Sequence, residues 1–244
     1  MAAGHSTAIN PASGSTYPWE ASANGTNTGN GNKLTQIGLV SWTARGGMPV
    51  SFTLAHNSQS SHTSELGAKW THSFDLFLVV GAPLYDEGPV PISVHWGDDL
   101  SYNFTQNIDG SYSPPTGIHD SLVVNMDGTY TLTKTDQTKY HYNTSGYCDT
   151  ITDRNANQIT ISYASGNYVS TITDPTSRTI VLGYDGSHRI TSVTDTLSRV
   201  WTLAYDGSNN LSTVTYPVLG STYYTETFGY NAAHDITSFP FVAI

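Results

Sequence analysis

The sequence predicts an all-β protein. The expected architecture is one continuous antiparallel sheet of successive β-hairpins, a spiral or meander forming a partial shell or barrel-like wall, with almost no helix. Three observations carry this. Tyr142, Tyr163, Tyr184 and Tyr205 stand 21 residues apart, and Ile151, Ile172, Val193 and Val214 keep the same step, as do Ile161, Leu182 and Leu203. A period held at several positions marks a repeated supersecondary unit. Within the unit, runs such as Val200-Trp201-Thr202-Leu203-Ala204-Tyr205 alternate large and small residues, the signature of a strand with one buried face. No window of useful length shows a 3.6-residue period with helix caps.

Taken in order, residues 1 to 33 are rich in Gly, Asn, Ser and Thr and read as an extended or disordered arm, interrupted by the apolar island Tyr17-Pro18-Trp19. A β region is expected over 34–141. Gly38 to Ala44 and Val50 to His56 read as strands, with Arg45-Gly46-Gly47 as a bend between them. Asn57 to Ser64 is a polar loop, and Trp70 to Val80 is the longest strand candidate. Gly81 to Pro91 reads as a loop. Ile92 to Trp96 and Leu100 to Thr105 flank a hairpin turn. Asp109-Gly110 and Asp127-Gly128 are turn signals, Pro114 to Gly117 is a surface connection, and Thr129 to Thr133 and Lys139 to Asn143 lead into the repeats.

Repeat hairpins are expected over 142–244. Asp185-Gly186 and Asp206-Gly207 suit tight turns in which Gly accepts positive φ, and Asp174-Pro175 opens the second turn of its unit. A lone hairpin is marginal in water, so the units should pair edge to edge. The last unit departs from the frame: Tyr216 stands where Asp is expected, and Pro217 to Ser221 lengthen the turn. An apolar tail, Phe239 to Ile244, follows; beside an open sheet edge it folds back or pairs with another chain.

The Tyr-Asp-Gly turns and the Ile/Val-Thr-Asp…Arg…Tyr frame resemble the YD repeats of Rhs and teneurin-type proteins. The stretch Gly46-Gly47-Met48-Pro49-Val50-Ser51-Phe52, then His56-Asn57-Ser58 and Leu66-Gly67-Ala68-Lys69-Trp70-Thr71-His72-Ser73-Phe74, is similar to the segment that precedes such repeats in bacterial Rhs proteins. The resemblance covers about residues 36 to 240. It implies repeat arrays that spiral into a hollow β-shell around a toxin domain, or that form extracellular adhesion modules.

Composition narrows the function. A net charge of −10 argues against nucleic acid and against docking on anionic lipid, because both need clustered Lys and Arg. No apolar run approaches the ~18 residues of a membrane-spanning helix. The single cysteine, Cys148, sits in an apolar register of the repeat and reads as a buried small residue rather than a reactive thiol. Met1-Ala-Ala-Gly-His lacks the basic and apolar stretches of a leader, so the expected secreted or cell-surface location carries no visible signal.

Candidate chemistry is sparse. Asp153-Arg-Asn155-Ala-Asn157 copies the start of a calcium loop, but Gln158 and Ala164 replace its Gly and Glu, so a turn is the better reading. Asp98-Asp99 and His119-Asp120 are turn or loop pairs without a second pair at a telling spacing, and changes at Asp98, Asp99 and Asp120 are the inexpensive check on catalysis. The nine histidines form no ligand motif, and nucleophile-elbow, phosphate-loop and dinucleotide motifs are missing. No catalytic residue, metal or cofactor is therefore assigned. Asn24, Asn103, Asn143 and Asn210 head N-glycosylation sequons. The 16 Tyr and five Trp either fill the buried face or offer stacking platforms for glycans.

The expected function is a non-catalytic YD-repeat scaffold of an extracellular or cell-surface assembly. It self-associates by strand addition through the amino-terminal arm or the carboxy-terminal strand, as a fibre subunit. A fragment of a toxin-enclosing Rhs shell and a glycan-binding adhesion module are the alternatives.

Overall fold

The structure, a computed structural model, describes residues 22–23, 26–27, 31–83, 88–218, 224–239 and 241–243, the last three by backbone alone. Most of the expected arm, including Tyr17-Pro18-Trp19, lies outside the described residues, as do parts of the loop after Gly81 and of the lengthened last turn.

β1 (Ser22–Ala23) and β2 (Thr26–Asn27) make a small ribbon. β3 (Leu34–Thr43) and β4 (Pro49–Asn57) form a long antiparallel pair turned by a 3-10 turn at Arg45–Gly47. β5 (Thr63–Ser64) and β6 (Gly67–Ala68) pair with each other, and β7 (Trp70–His72) joins β4 to complete a three-stranded sheet. β8 (Phe77–Val80), β9 (Ile92–His95), β10 (Ser101–Gln106) and β11 (Tyr112–Ser113) form a second sheet, ordered β11-β10-β9-β8.

The remaining chain builds the long sheet. Its strands are β12 (Ser121–Val124), β13 (Tyr130–Thr133), β14 (Lys139–Tyr142), β15 (Cys148–Thr152), β16 (Gln158–Tyr163), β17 (Val169–Thr173), β18 (Thr179–Tyr184), β19 (Ile190–Thr194), β20 (Val200–Tyr205), β21 (Leu211–Thr215) and β22 (Tyr224–Thr227). A side ribbon of β23 (Gly229–Tyr230) and β24 (Ile236–Ser238) follows. β25 (Phe241–Ala243) then returns to pair with β22, with Val242 opposite Thr225. Among the described residues the sheet has 12 strands, all antiparallel, and stays open: β12 and β25 each have a described neighbour on one side only. Among the described residues there is no α-helix.

Two expectations change. Trp70 to Val80 is not one strand but β7 and β8, which belong to different sheets. The chain turns between them, with the Asp75 N–H donating to the His72 carbonyl at 2.8 Å. Ser73 fixes the corner: its hydroxyl donates to the Ser51 carbonyl at 2.6 Å and accepts from the Thr53 N–H at 3.1 Å. The second change concerns the Asp-Gly turns. Gly186 and Gly207 do not adopt positive φ; His188 (φ 61°) and Asn209 (φ 64°), two residues on, do so instead.

One loop geometry explains this. In each repeat turn the carbonyl of the first residue accepts from the N–H three residues on, and its own N–H donates to the carbonyl four residues on, as in Ser177 N–H to Asp174 O (3.0 Å) and Asp174 N–H to Arg178 O (2.9 Å). The residue two before the return strand is left-handed: Ala156, Asn167, Ser177, His188, Ser198 and Asn209. The turns at Asn107, Asn125 and Asn143 share the frame but place Gly110, Gly128 and Gly146 at the left-handed position. Asp-Gly therefore opens the loop in the repeats and closes it before them.

Each second turn is followed by strict alternation, as in β16 with Ile159 and Ile161 buried. The other strand of each unit buries residues three apart, such as Val169 and Ile172. A β-bulge opposite Ser162 and Tyr163 supplies the extra residue, and the same shift recurs opposite Gly183/Tyr184 and Ala204/Tyr205. The outward residues are mostly Thr and Ser, including Thr171, Thr173, Thr213 and Thr215.

The inner face is covered by the chain's own first half. Phe52, Leu54, Leu66 and Trp70 join Ile172, Ile180, Val193 and Leu203 in one apolar cluster. Leu66 is fully buried. Gly67 beside it has φ +94°, and a Cβ there would meet the Asn209 carbonyl at 2.3 Å, so only glycine allows this approach to the repeat turn.

Candidate functional site

Tyrosine is the first recurring device. The hydroxyls of Tyr163, Tyr184 and Tyr205 donate to the carbonyls of Cys148, Val169 and Ile190, each at 2.7 Å and each 15 residues back. Each ring thus fills the inner face while its hydroxyl ties the bulge of the previous hairpin. Tyr230 closes the series on the Leu211 carbonyl. Tyr142, at the start, is fully buried, and its hydroxyl lacks a partner among the described residues. The repeat tyrosines therefore serve the fold, not an exposed stacking platform. Cys148 is likewise fully buried, and burial pushes its thiol well above the ordinary range, which leaves it unreactive.

The Asp turns are the second device. Asp174 Oδ1 accepts from the Thr176 and Arg178 N–H groups at 2.7 and 2.9 Å, and Oδ2 takes Arg178 Nε at 2.7 Å. Burial pushes this carboxyl up, but the Arg178 and Thr176 bonds outweigh it and hold it well below the usual carboxylate range. Asp195 with Arg199 repeats the arrangement. Asp153 spends its oxygens the same way on Asn155 and Asn157, so the calcium-like motif is a turn. Asn210 is buried, donating to Asp206 and bonded to His234 Nδ1, so that sequon offers no free amide.

These devices also lock the two layers. Trp42 Nε1 donates to Asp174 Oδ2 at 3.0 Å, and Arg178 donates to the Thr43 carbonyl. Trp70 Nε1 reaches the Tyr230 hydroxyl at 2.9 Å, and Lys69 pairs with Asp235 at 2.7 Å. His56 Nε2 lies 3.0 Å from the His234 carbonyl; burial lowers its pKa to about 4.

Between the layers, at the β12 end of the long sheet, runs a groove of about 1080 Å³. Trp96, Asp98 and Tyr102 of the β9–β10 hairpin line one wall, and Lys134 and Tyr140 of the β13–β14 hairpin another. Trp96 and Tyr140 meet edge to face, centroids 5.0 Å apart, and Lys134 Nζ sits 4.4 Å over the Trp96 ring. Lys134 also lies 3.7 Å from buried Asp120. Asp98 Oδ1 accepts from the Leu100 N–H, and burial raises its carboxyl. Asp99 takes the left-handed turn position and His119 is exposed. The acidic pairs singled out in the sequence thus contribute Asp98 to the groove and Asp120 beside it. The aromatic and basic partners come from separate hairpins, with no motif to announce them. Among the described residues no His, Cys, Asp and Glu cluster is arranged to hold a metal.

Comparison with known families matches the RHS Repeat family over residues 184–221, two repeats whose tyrosines and turns are those just described. The repeat hairpins are of the Rhs/YD-repeat type. The region covering the inner face of the Rhs repeats matches a second family, described as a domain of unknown function (DUF6531), over residues 24–104. No curated protein matches. Solved structures similar to the chain include the crystal structure of TcdB2-TccC3-Cdc42, at 13% identity and a TM-score of 0.38. That likeness covers 87% of this chain and 14% of the other, so the chain spans about a seventh of its neighbour's length. No helix among the described residues is long and apolar enough to cross a membrane.

Proposed function

We propose that the protein is a non-catalytic structural module of a secreted or cell-surface assembly, continued edge to edge into a neighbouring sheet through β25. The chain is a β-scaffold of the Rhs type, and the observation that carries the finer reading is its open sheet. The tail folds back onto β22, so β25 becomes the outermost strand, and its outer backbone groups face no other described strand. Such an edge recruits another strand. At the opposite edge, β12 is an uncharged run, Ser121-Leu122-Val123-Val124, with Val123 and Val124 exposed. Joining unlike edges head to tail is a heterologous contact, which produces a fibre unless its rotation closes a ring.

Light scattering and electron microscopy of the purified chain test this. Open-ended oligomers that Val242→Pro reduces to monomers support strand addition, because proline removes a ladder donor from the edge. A monodisperse monomer at high concentration overturns self-association. It favours instead the second reading of the same open edge, a wall segment that continues into further repeats of a longer shell.

A further inference from the structure

The groove between the layers is not explained by a scaffold role. Four of its groups carry polar atoms with no described partner. The Trp96 indole N–H is buried and unbonded. The hydroxyls of Tyr102 and Tyr140 and the second oxygen of Asp98 make no hydrogen bond among the described residues, whereas nearly every turn carboxylate in the repeats is spent on its own loop. Buried polar groups in native proteins are satisfied by protein, water or ligand. Of these groups only the Trp96 N–H is buried; Tyr102, Tyr140 and Asp98 are half-buried and line the groove, and open polar groups converging beside aromatic rings are a binding arrangement.

We propose that this groove binds a neutral oligosaccharide, with Tyr102 stacking against a sugar ring beside the Trp96–Tyr140 pair and Asp98 accepting from ring hydroxyls.

The chemistry favours this class over others. The walls mix carboxylates (Asp98, Asp136, Asp153) with cations (Lys134, Arg154), so no single charge dominates and a phosphorylated or strongly anionic ligand has no counter-cluster. The lining mixes hydroxyl and carboxylate groups with aromatic and aliphatic ones, which suits a ligand with hydroxyl edges and C–H faces rather than an oily helix or lipid. The volume is at the upper end of small-ligand sites, enough for a few sugar rings. The groove is rigid, because β9–β10 and β13–β14 are both paired hairpins. It lies on the inner face of the long sheet, away from the threonine-rich surface and from the β25 edge.

The test uses the full chain with maltohexaose, cellohexaose and chitohexaose as probes. Binding is read by tryptophan fluorescence and by isothermal titration. A probe that binds the full chain, and loses at least tenfold in affinity in both Asp98→Asn and Tyr102→Phe while circular dichroism and melting temperature are unchanged, supports the site. Val181→Thr, on the outer face, should bind as the parent does. No binding of any probe at millimolar concentration overturns the proposal, as does binding that both groove variants leave intact. The edge variant Val242→Pro leaves sugar affinity unchanged, so failure here and failure of strand addition are separately visible.

Discussion

Tyr184 shows how one side chain serves two neighbours at once. Its ring lies in the inner face and its hydroxyl holds the Val169 carbonyl at the bulge of the preceding hairpin. Tyr184→Phe keeps the ring and strands that carbonyl, so chemical denaturation should show a loss of about 1–2 kcal/mol. Asp195→Ala removes the acceptor for two backbone N–H groups and for Arg199, and should cost on the order of 2 kcal/mol by the same measurement. Asp174 and Asp195 are both held below the usual carboxylate range despite burial. A carboxyl depressed on folding contributes stability that is complete above about pH 4 and is lost as pH falls further. His56 acts over a higher window. Burial lowers its folded pKa to about 4 from 6.5, so the folded state resists a proton that the unfolded chain accepts. Stability should fall between pH 6.5 and 4, by on the order of 3 kcal/mol from this group. Thermal melts of the parent and of His56→Gln across that range check it: the variant should show a flatter profile.

Among the elements, the repeat turn is where a familiar dipeptide misleads. Gly186 looks indispensable beside Asp185, yet its φ is not positive and a Cβ there meets nothing within 4 Å. Gly186→Ala should therefore be neutral or stabilising by up to about 1 kcal/mol. Gly146 holds the left-handed position of an earlier turn (φ +85°), and a Cβ there would meet the Leu78 carbonyl at 2.5 Å. Gly146→Ala should destabilise by more than 1 kcal/mol, roughly the cost of a left-handed Ala plus a displaced strand. Melting temperatures of the two variants, moving apart, distinguish the loop frame found here from a simple Asp-Gly turn. Hairpin existence and strand order were legible because they are local: alternation and turn residues recur within 21 residues. The bulge was not legible, since it adds one residue without changing composition.

For the whole molecule, the inner face of the long sheet is covered by strands more than 100 residues earlier in the chain, through Trp42 with Asp174 and Tyr205 with the Glu65 carbonyl. A fragment of residues 119–244 should therefore elute as aggregates rather than as a folded monomer, because Ile172, Ile180, Val193 and Leu203 lose their cover. Co-expression of residues 31–118 should restore soluble material if the cover alone is missing.

The amino-acid sequence by itself determined the repeat, its family and a sheet built hairpin by hairpin, since each of these depends on side-chain period and turn chemistry a few residues apart. Only the tertiary structure decided that the first half lies over the second, that the Trp70 to Val80 stretch splits between two sheets, and that Trp96, Asp98, Tyr102, Lys134 and Tyr140 share one groove. Those outcomes rest on contacts between distant segments, whose free energy comes from shape and burial and leaves no periodic trace along the chain.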